Sequence, residues 1–178
     1  MKKLIHSVSE NRETLALLSG CCVFLSMIEY IIPKPVPFMR LGIANIPVMI
    51  SLEIFSPALS IILVLLKILG QGIITGTVFS YIFIFSFAGS IAGGCAMILI
   101  RSILKTRISM VGVSVTGAFA SNIAQLITAN FMIFGDSALI IAPPVIMIGT
   151  LSSLIIGIFA ESFISRSRWL AGKKSLYA

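Results

Sequence analysis

Six polar or charged side chains lie within or beside strongly apolar segments, where such groups have a chemical purpose: Arg40, Asn45, Lys67, Gln71, Asn122 and Gln125. An arginine presents a planar fork of N–H donors that matches a carboxylate or phosphate, and an ammonium group and amides add donors and acceptors. A charge near a bilayer centre costs about 2.5–3.5 kcal/mol on insertion scales, so each one invites a functional explanation. We therefore predict a substrate-binding site for a small anionic or carbonyl-rich molecule.

The stretch KPVPFMRLGIAN, residues 34–45, is the richest in these features. Its prolines exclude a regular helix, Gly42 permits a turn, and Asn45 suits the N-cap of a following helix. A helix start with free N–H groups beside Arg40 suits a carboxylate or phosphate. We expect residues 33–42 to form an external, stiffened loop at the mouth of a site. The alternative is a capped helix start with Arg40 at lipid headgroups.

Asn122 and Gln125 are three residues apart and share one face of a helix. Two amides inside a membrane helix either bond neighbouring helices or line a polar cavity. Glu29 and Lys67 are predicted to lie at similar depth and could form an ion pair, although a snorkelling lysine is the alternative. Glu53 either reaches the cytoplasmic interface or contacts a partner there.

The elements that position these side chains are membrane helices. Of the 178 residues, 58% are hydrophobic and only 11% are charged, against about 25% in a soluble domain. Residues 68–100, 108–135 and 137–160 contain no charge at all. Runs of this length predict transmembrane helices. We predict an all-α integral membrane protein, a six-transmembrane-helix bundle with spans at 14–32, 43–56, 58–75, 78–100, 109–134 and 138–164.

Basic residues give the orientation of the bundle. Ten of the thirteen cations fall in three clusters: Lys2, Lys3 and Arg12; Arg101, Lys105 and Arg107; Arg166, Arg168, Lys173 and Lys174. Cationic loops stay cytoplasmic, so we place both termini inside. The charge of +7 is thereby explained by the membrane, and we expect no nucleic-acid partner. Residues 1–178 are predicted to be a single membrane domain, with a cytoplasmic N-terminal segment (1–13), a bundle (14–164) and a basic cytoplasmic tail (165–178).

The residues that most catalytic sites use are scarce. Asp136 is the only aspartate and His6 the only histidine, so no aspartate-rich Mg²⁺–diphosphate site can be built. We expect no catalytic residues, no metal, no cofactor and therefore no enzyme. The three cysteines, an odd number in apolar runs, are expected to be free. Uphill transport would have to draw its energy from a partner or from an ion gradient.

Small residues recur at every fourth position in several predicted spans, which lets helix backbones approach closely. Packing inside the bundle is one explanation, and a docking face for another membrane protein is the other. Ala16 and Gly20 on the first span are the best candidates for docking.

Three motifs carry a family resemblance: RLGIANIPVMISLEIF, LKILGQGIITGTVFS and GVSVTGAFASNIAQL. Together they resemble the bacterial membrane family called heptaprenyl diphosphate synthase component I, also known as the Gx transporter family, over roughly residues 14–164. That family is similar to the S components of energy-coupling factor (ECF) transporters. One departure is Ser121, where family members often carry histidine.

The resemblance implies a six-helix, S-component-like fold that binds a small vitamin-like or precursor molecule from outside the bacterial cytoplasmic membrane. Its partners would be a transmembrane scaffold, docked at Ala16 and Gly20, and a pair of ATPases. A second possibility is a non-catalytic membrane subunit of a flavin-linked, extracellular electron-transfer or prenyl-lipid assembly. A third is an autonomous carrier coupled to ions through Glu29 and Lys67.

Overall fold

The chain is mostly helical in the part that the computed structural model describes, residues 2–33, 40–135 and 138–177. These residues contain seven α-helices and no strand: α1 Lys2–Ile31, α2 Ile46–Ile54, α3 Pro57–Ile74, α4 Tyr81–Leu104, α5 Met110–Ala129, α6 Ala138–Arg166 and α7 Arg168–Tyr177. The predicted all-α fold is confirmed. The N-terminal segment and the tail, expected only as cytoplasmic flanks, are themselves helical, in α1 and α7.

Five helices of the described chain are long and apolar enough to cross a membrane, namely α1, α3, α4, α5 and α6. The sixth predicted span, α2, has nine residues and is preceded by a single 3₁₀ turn, Ile43–Asn45. Together these cover roughly 18–20 Å, less than the hydrocarbon core of about 30 Å. On their own, α2 and this turn are therefore too short to cross the hydrocarbon core.

Consecutive helices from α2 to α6 pack antiparallel. Ser51 on α2 donates a hydrogen bond of 3.2 Å to Ser60 on α3, while Asn45, just before α2, contacts Lys67 further along α3. Glycines on α4 and α5 meet in the same antiparallel sense. One end of the bundle, called the basic end from here on, carries Arg101, Lys105, Arg107, Arg166 and Arg168. The turn between α3 and α4 lies at the opposite end.

Glycines allow α4, α5 and α6 to pack closely. A Cβ added at Gly93 would lie 2.8 Å from the carbonyl oxygen of Gly117, and one at Gly157 would lie 2.7 Å from Cα of Val111. Real Cβ atoms do not approach backbone so closely, so only glycine fits. These small residues serve packing inside the bundle, the first of the two explanations offered by the sequence.

The apolar core runs through the bundle and includes the fully buried side chains of Met49, Leu63 and Met97. Large apolar side chains also cover the outward faces of the long helices, as expected for surfaces that face lipid. Cys21, Cys22 and Cys95 are all free thiols, but only Cys22 is buried. A polar centre interrupts the core where the chain between α1 and α2 enters it.

Candidate functional site

Residues 40–45 form a short irregular segment that enters the bundle between α1 and α2. Gly42 has φ +89°, a left-handed conformation that favours glycine. Its carbonyl accepts a hydrogen bond from the backbone N–H of Asn45 at 2.9 Å. Ala44 is 3% exposed. The sequence led us to expect an external loop at residues 33–42, at the mouth of a site; in the structure Ala44 is buried, the other residues of 40–45 are partly exposed, and the external position stays a prediction. Residues 34–39, the rest of the predicted loop, lie outside the described residues.

The carboxylate of Glu29 holds this segment in place. Its Oε1 accepts hydrogen bonds from the backbone N–H groups of Leu41 at 2.8 Å and Gly42 at 3.3 Å. Its Oε2 accepts one from the backbone N–H of Ala44 at 3.4 Å. Non-helical backbone is tolerated at membrane depth only where its polar groups are satisfied. Sequence reasoning assigned an external anion to the amides ahead of α2. In the structure the chain's own Glu29 bonds three of them.

Arg40 ties the segment to α3 and α4. Its guanidinium donates to the carbonyl of Ser86 at 3.3 Å, to the hydroxyl of Ser90, and to the side-chain oxygen of Gln71. Ser86 and Ser90 are one helical turn apart on α4, so both oxygens face the same group. Gln71, a predicted substrate ligand, here orients Arg40.

Lys67 and Asn45 form the next contact of the centre. The Lys67 ammonium is buried, with 3% exposure, and donates to Oδ1 of Asn45. Asn45 does occupy the N-cap position of α2, as predicted, but its side chain makes no capping hydrogen bond. The prediction of a side-chain cap is wrong because Lys67 binds the oxygen that would have made it.

The two amides of α5 lie behind the irregular segment and are fully enclosed. Gln125 is 0% exposed and donates through Nε2 to Ser121 Oγ at 3.0 Å. Asn122 is 2% exposed, and a Cβ at Gly149 would lie 2.2 Å from its Nδ2. Neither Nδ2 of Asn122 nor Oε1 of Gln125 has a hydrogen-bond partner. Buried polar atoms are nearly always bonded, so the unpartnered Nδ2 of Asn122, a residue that lines the cavity described below, points to an occupant.

These groups surround a small closed cavity of about 20 Å³. Its lining includes four of the six predicted binding residues, Arg40, Asn45, Lys67 and Asn122, together with Glu29. Gln71 bonds Arg40, and Gln125 bonds Ser121, which is part of the lining. The cavity has room for about one water molecule. The six residues predicted from sequence are thus brought together, in a closed state.

Sequence reasoning missed three kinds of contributor. The role of Glu29 in holding backbone amides could not be read from its spacing. Ser90 gave no signal that separates it from other serines in apolar helices. Gly89 and Gly93 line the cavity as well and let α5 approach, whereas the four-residue spacing of small residues suggested only packing or docking.

Two further site predictions stay predictions. Glu29 and Lys67 line the same cavity, which is compatible with the ion pair that the sequence suggests. Ala16 and Gly20 are both exposed on α1, and a Cβ added at Gly20 would meet nothing within 4 Å. Unlike the glycines of α4 to α6, this pair is not used for packing inside the described bundle.

Glu53 lies at the basic end, where Arg101 bonds its carboxylate. Arg101 also donates to the carbonyl of Ile108 at 3.0 Å, so it joins α2, α4 and the start of α5. The side chain of Glu53 is 7% exposed. The sequence left two explanations open for Glu53, contact with the membrane interface or with a partner. The structure adds a third, an internal ion pair.

The described residues contain no cluster of three His, Cys, Asp or Glu side chains able to hold a metal ion.

The fold and the polar centre define a multi-pass helical membrane protein with a closed polar cavity inside the bundle. Residues 18–163 match the family described as heptaprenyl diphosphate synthase component I, and the chain belongs to that family. Searches of curated proteins and of solved structures found no match to this chain.

Proposed function

We propose that this protein is the substrate-binding membrane subunit of an ECF-type importer for a small vitamin-like or precursor molecule. The observation that carries the proposal is the convergence of Arg40, Lys67 and Asn122 on a buried cavity beside the irregular segment 40–45. Buried polar groups with unpartnered atoms are costly unless an occupant bonds them. A subunit that only anchors a complex has no need of such a centre.

Binding requires the closed cavity to widen. Pockets for small molecules usually measure about 300–1,000 Å³, far more than the space present here. Segment 40–45 is the lining element outside regular α-helix, and polar contacts to Glu29, Gln71 and Ser90 hold it. A ligand can exchange for such contacts, whereas displacing a packed helix would lose apolar burial. We therefore assign the opening movement to this segment.

The finer features of the role follow from the same proposal. We propose a single domain in the bacterial cytoplasmic membrane with both termini inside, because cationic loops stay cytoplasmic and the basic end carries such loops. It performs no catalysis itself. A transmembrane scaffold with ATPases supplies the energy, and Ala16 and Gly20 on the open face of α1 form the contact to that scaffold.

The experiment is identification of the bound molecule. The full chain is purified in mild detergent, co-purifying small molecules are identified by mass spectrometry, and each is tested by thermal shift and cellular uptake. Arg40→Ala and Asn122→Ala are expected to reduce binding and uptake at least tenfold. Arg168→Ala and Asn130→Ala, the same changes at positions away from the cavity, are expected to leave both unchanged. Absence of any ligand, with uptake unaffected by the first two variants, would exclude the importer role.

A second candidate is favoured by the family description itself, which names a component of heptaprenyl diphosphate synthase. In that role the chain is a non-catalytic membrane subunit of a prenyl-lipid or flavin-linked assembly. Affinity purification from native membranes separates the two. Recovery of a transmembrane scaffold with ATPases supports import, whereas recovery of a prenyltransferase or a flavoprotein supports the assembly role.

A further inference from the structure

The charges around the closed cavity do not balance. Among the described residues, three charged side chains line it, two cationic (Arg40 and Lys67) and one anionic (Glu29), so this part of the lining carries a formal charge of +1. Lys67 and Glu29 are 3% and 6% exposed. A buried charge without a counter-charge costs several kcal/mol after relaxation. A complement of negative charge is therefore missing from the centre.

Hydrogen-bond donors are also in excess at the cavity. Lys67 carries three N–H donors, of which one goes to Asn45, and the Nδ2 donor of Asn122 has no partner. The unpartnered acceptor Oε1 of Gln125 belongs to a residue that is not part of the described lining, and the acceptors that contact Arg40 and segment 40–45 are already engaged. Glu29 bonds three backbone amides, while Gln71 and Ser90 bond Arg40. An occupant that satisfies this centre must bring acceptor atoms rather than donors.

Charge and donor counts lead to the same chemistry: Lys67 enters both counts, and the unpartnered Nδ2 of Asn122 enters only the donor count. We infer that the ligand presents an oxyanion, a carboxylate or a phosphate ester, to Arg40, Lys67 and Asn122. This inference rests on the proposed function, since it names the substrate class for the same cavity. The neutral part of the ligand would then occupy the space that opens as segment 40–45 moves. A neutral or cationic ligand leaves the excess charge uncompensated.

The test compares two small oxyanions with a neutral analogue. The full chain in lipid nanodiscs is unfolded thermally with sodium propionate, methyl phosphate or propionamide at matched ionic strength. At least one oxyanion is expected to raise the unfolding midpoint, whereas propionamide is not. Lys67→Gln keeps a donor for Asn45 but removes the charge, and is expected to weaken oxyanion binding about tenfold. Lys67→Arg and the exposed control Arg168→Gln are expected to retain the preference.

Equal shifts with propionamide, no shift with either oxyanion, or an unchanged preference in Lys67→Gln would each overturn the inference. Lys67→Gln removes an uncompensated charge, so the charge count also requires this variant to fold without ligand as well as the native chain does. If Lys67→Gln failed to fold, that result would contradict the charge count. Oxyanion binding without uptake of any co-purified compound would refute import and leave the anion site standing. Uptake of a neutral compound would support import and refute the anion site.

Discussion

The backbone amide of Leu41 donates a 2.8 Å hydrogen bond to the carboxylate of Glu29, which lies twelve residues earlier in the chain. This contact joins the end of α1 to an irregular segment that would otherwise enter the apolar bundle with unsatisfied backbone. Gly42 and Ala44 donate to the same carboxylate. One buried acidic side chain thus makes possible the non-helical backbone around which the polar centre is built.

Replacing Glu29 should destabilise the bundle. A buried polar group left unpaired costs about 1–3 kcal/mol, so Glu29→Ala is expected to lower the free energy of unfolding by about 3 kcal/mol. Glu29→Gln retains one side-chain oxygen as acceptor and should cost less. The measurement is chemical denaturation in mild detergent, with the exposed Glu161→Ala as control. An unfolding free energy unchanged in Glu29→Ala would show that the carboxylate does not hold the segment.

Two glycine substitutions should separate the inside of the bundle from its open face. A Cβ at Gly93 meets the carbonyl oxygen of Gly117 at 2.8 Å, so Gly93→Ala is expected to cost about 1–3 kcal/mol through overpacking. Gly20→Ala meets nothing within 4 Å and should be neutral or gain up to about 1 kcal/mol from helix propensity. Thermal unfolding midpoints of both variants test this, and equal midpoints would contradict the packing described for α4 and α5.

The ion pair between Glu53 and Arg101 should couple α2 to α4. Its side chains are 7% and 16% exposed, so it is only partly screened by solvent. Either single change, Glu53→Gln or Arg101→Gln, is expected to cost about 1–3 kcal/mol, and the double variant less than the sum. The double-mutant cycle is measured by denaturation at low and high salt. Strict additivity of the two changes would mean that the contact contributes nothing.

Bulk on the open face of α1 should interfere with a partner and leave the fold intact. Gly20→Leu places a side chain where no atom of the bundle lies within 4 Å, so unfolding should be unaffected. If α1 docks a scaffold, recovery of partner subunits in affinity purification should fall several-fold. Gly172→Leu, at another helical glycine with open space around it, serves as the matched control. Undiminished recovery with Gly20→Leu would place the partner elsewhere.

Much of the architecture was predictable because lipid leaves few choices. Long charge-free runs must form helices that satisfy their own backbone, and the boundaries of α3 to α6 fall close to the predicted spans. Polar residues within or beside apolar segments are rare enough to stand out individually, which is why Arg40, Lys67 and Asn122 could be singled out from residue type and position. For α2 the hydropathy signal was misleading. Its short apolar run was read as a complete span at 43–56, whereas the helix itself has only nine residues.

The sequence by itself determined that the chain is a helical membrane protein and singled out six polar residues that meet in its interior, since hydropathy and insertion cost depend mainly on residue type and position along a span. The tertiary structure decided how these residues are paired. For Glu29 the sequence suggested an ion pair with Lys67, which stays a prediction, and only the path of residues 40–45 brings three backbone amides to its carboxylate. Asn45 was expected to cap α2, and only the antiparallel register of α2 on α3 gives its side chain to Lys67. Hydrogen bonds depend on distances of a few ångströms between segments far apart in sequence, and that information arises only when the helices pack.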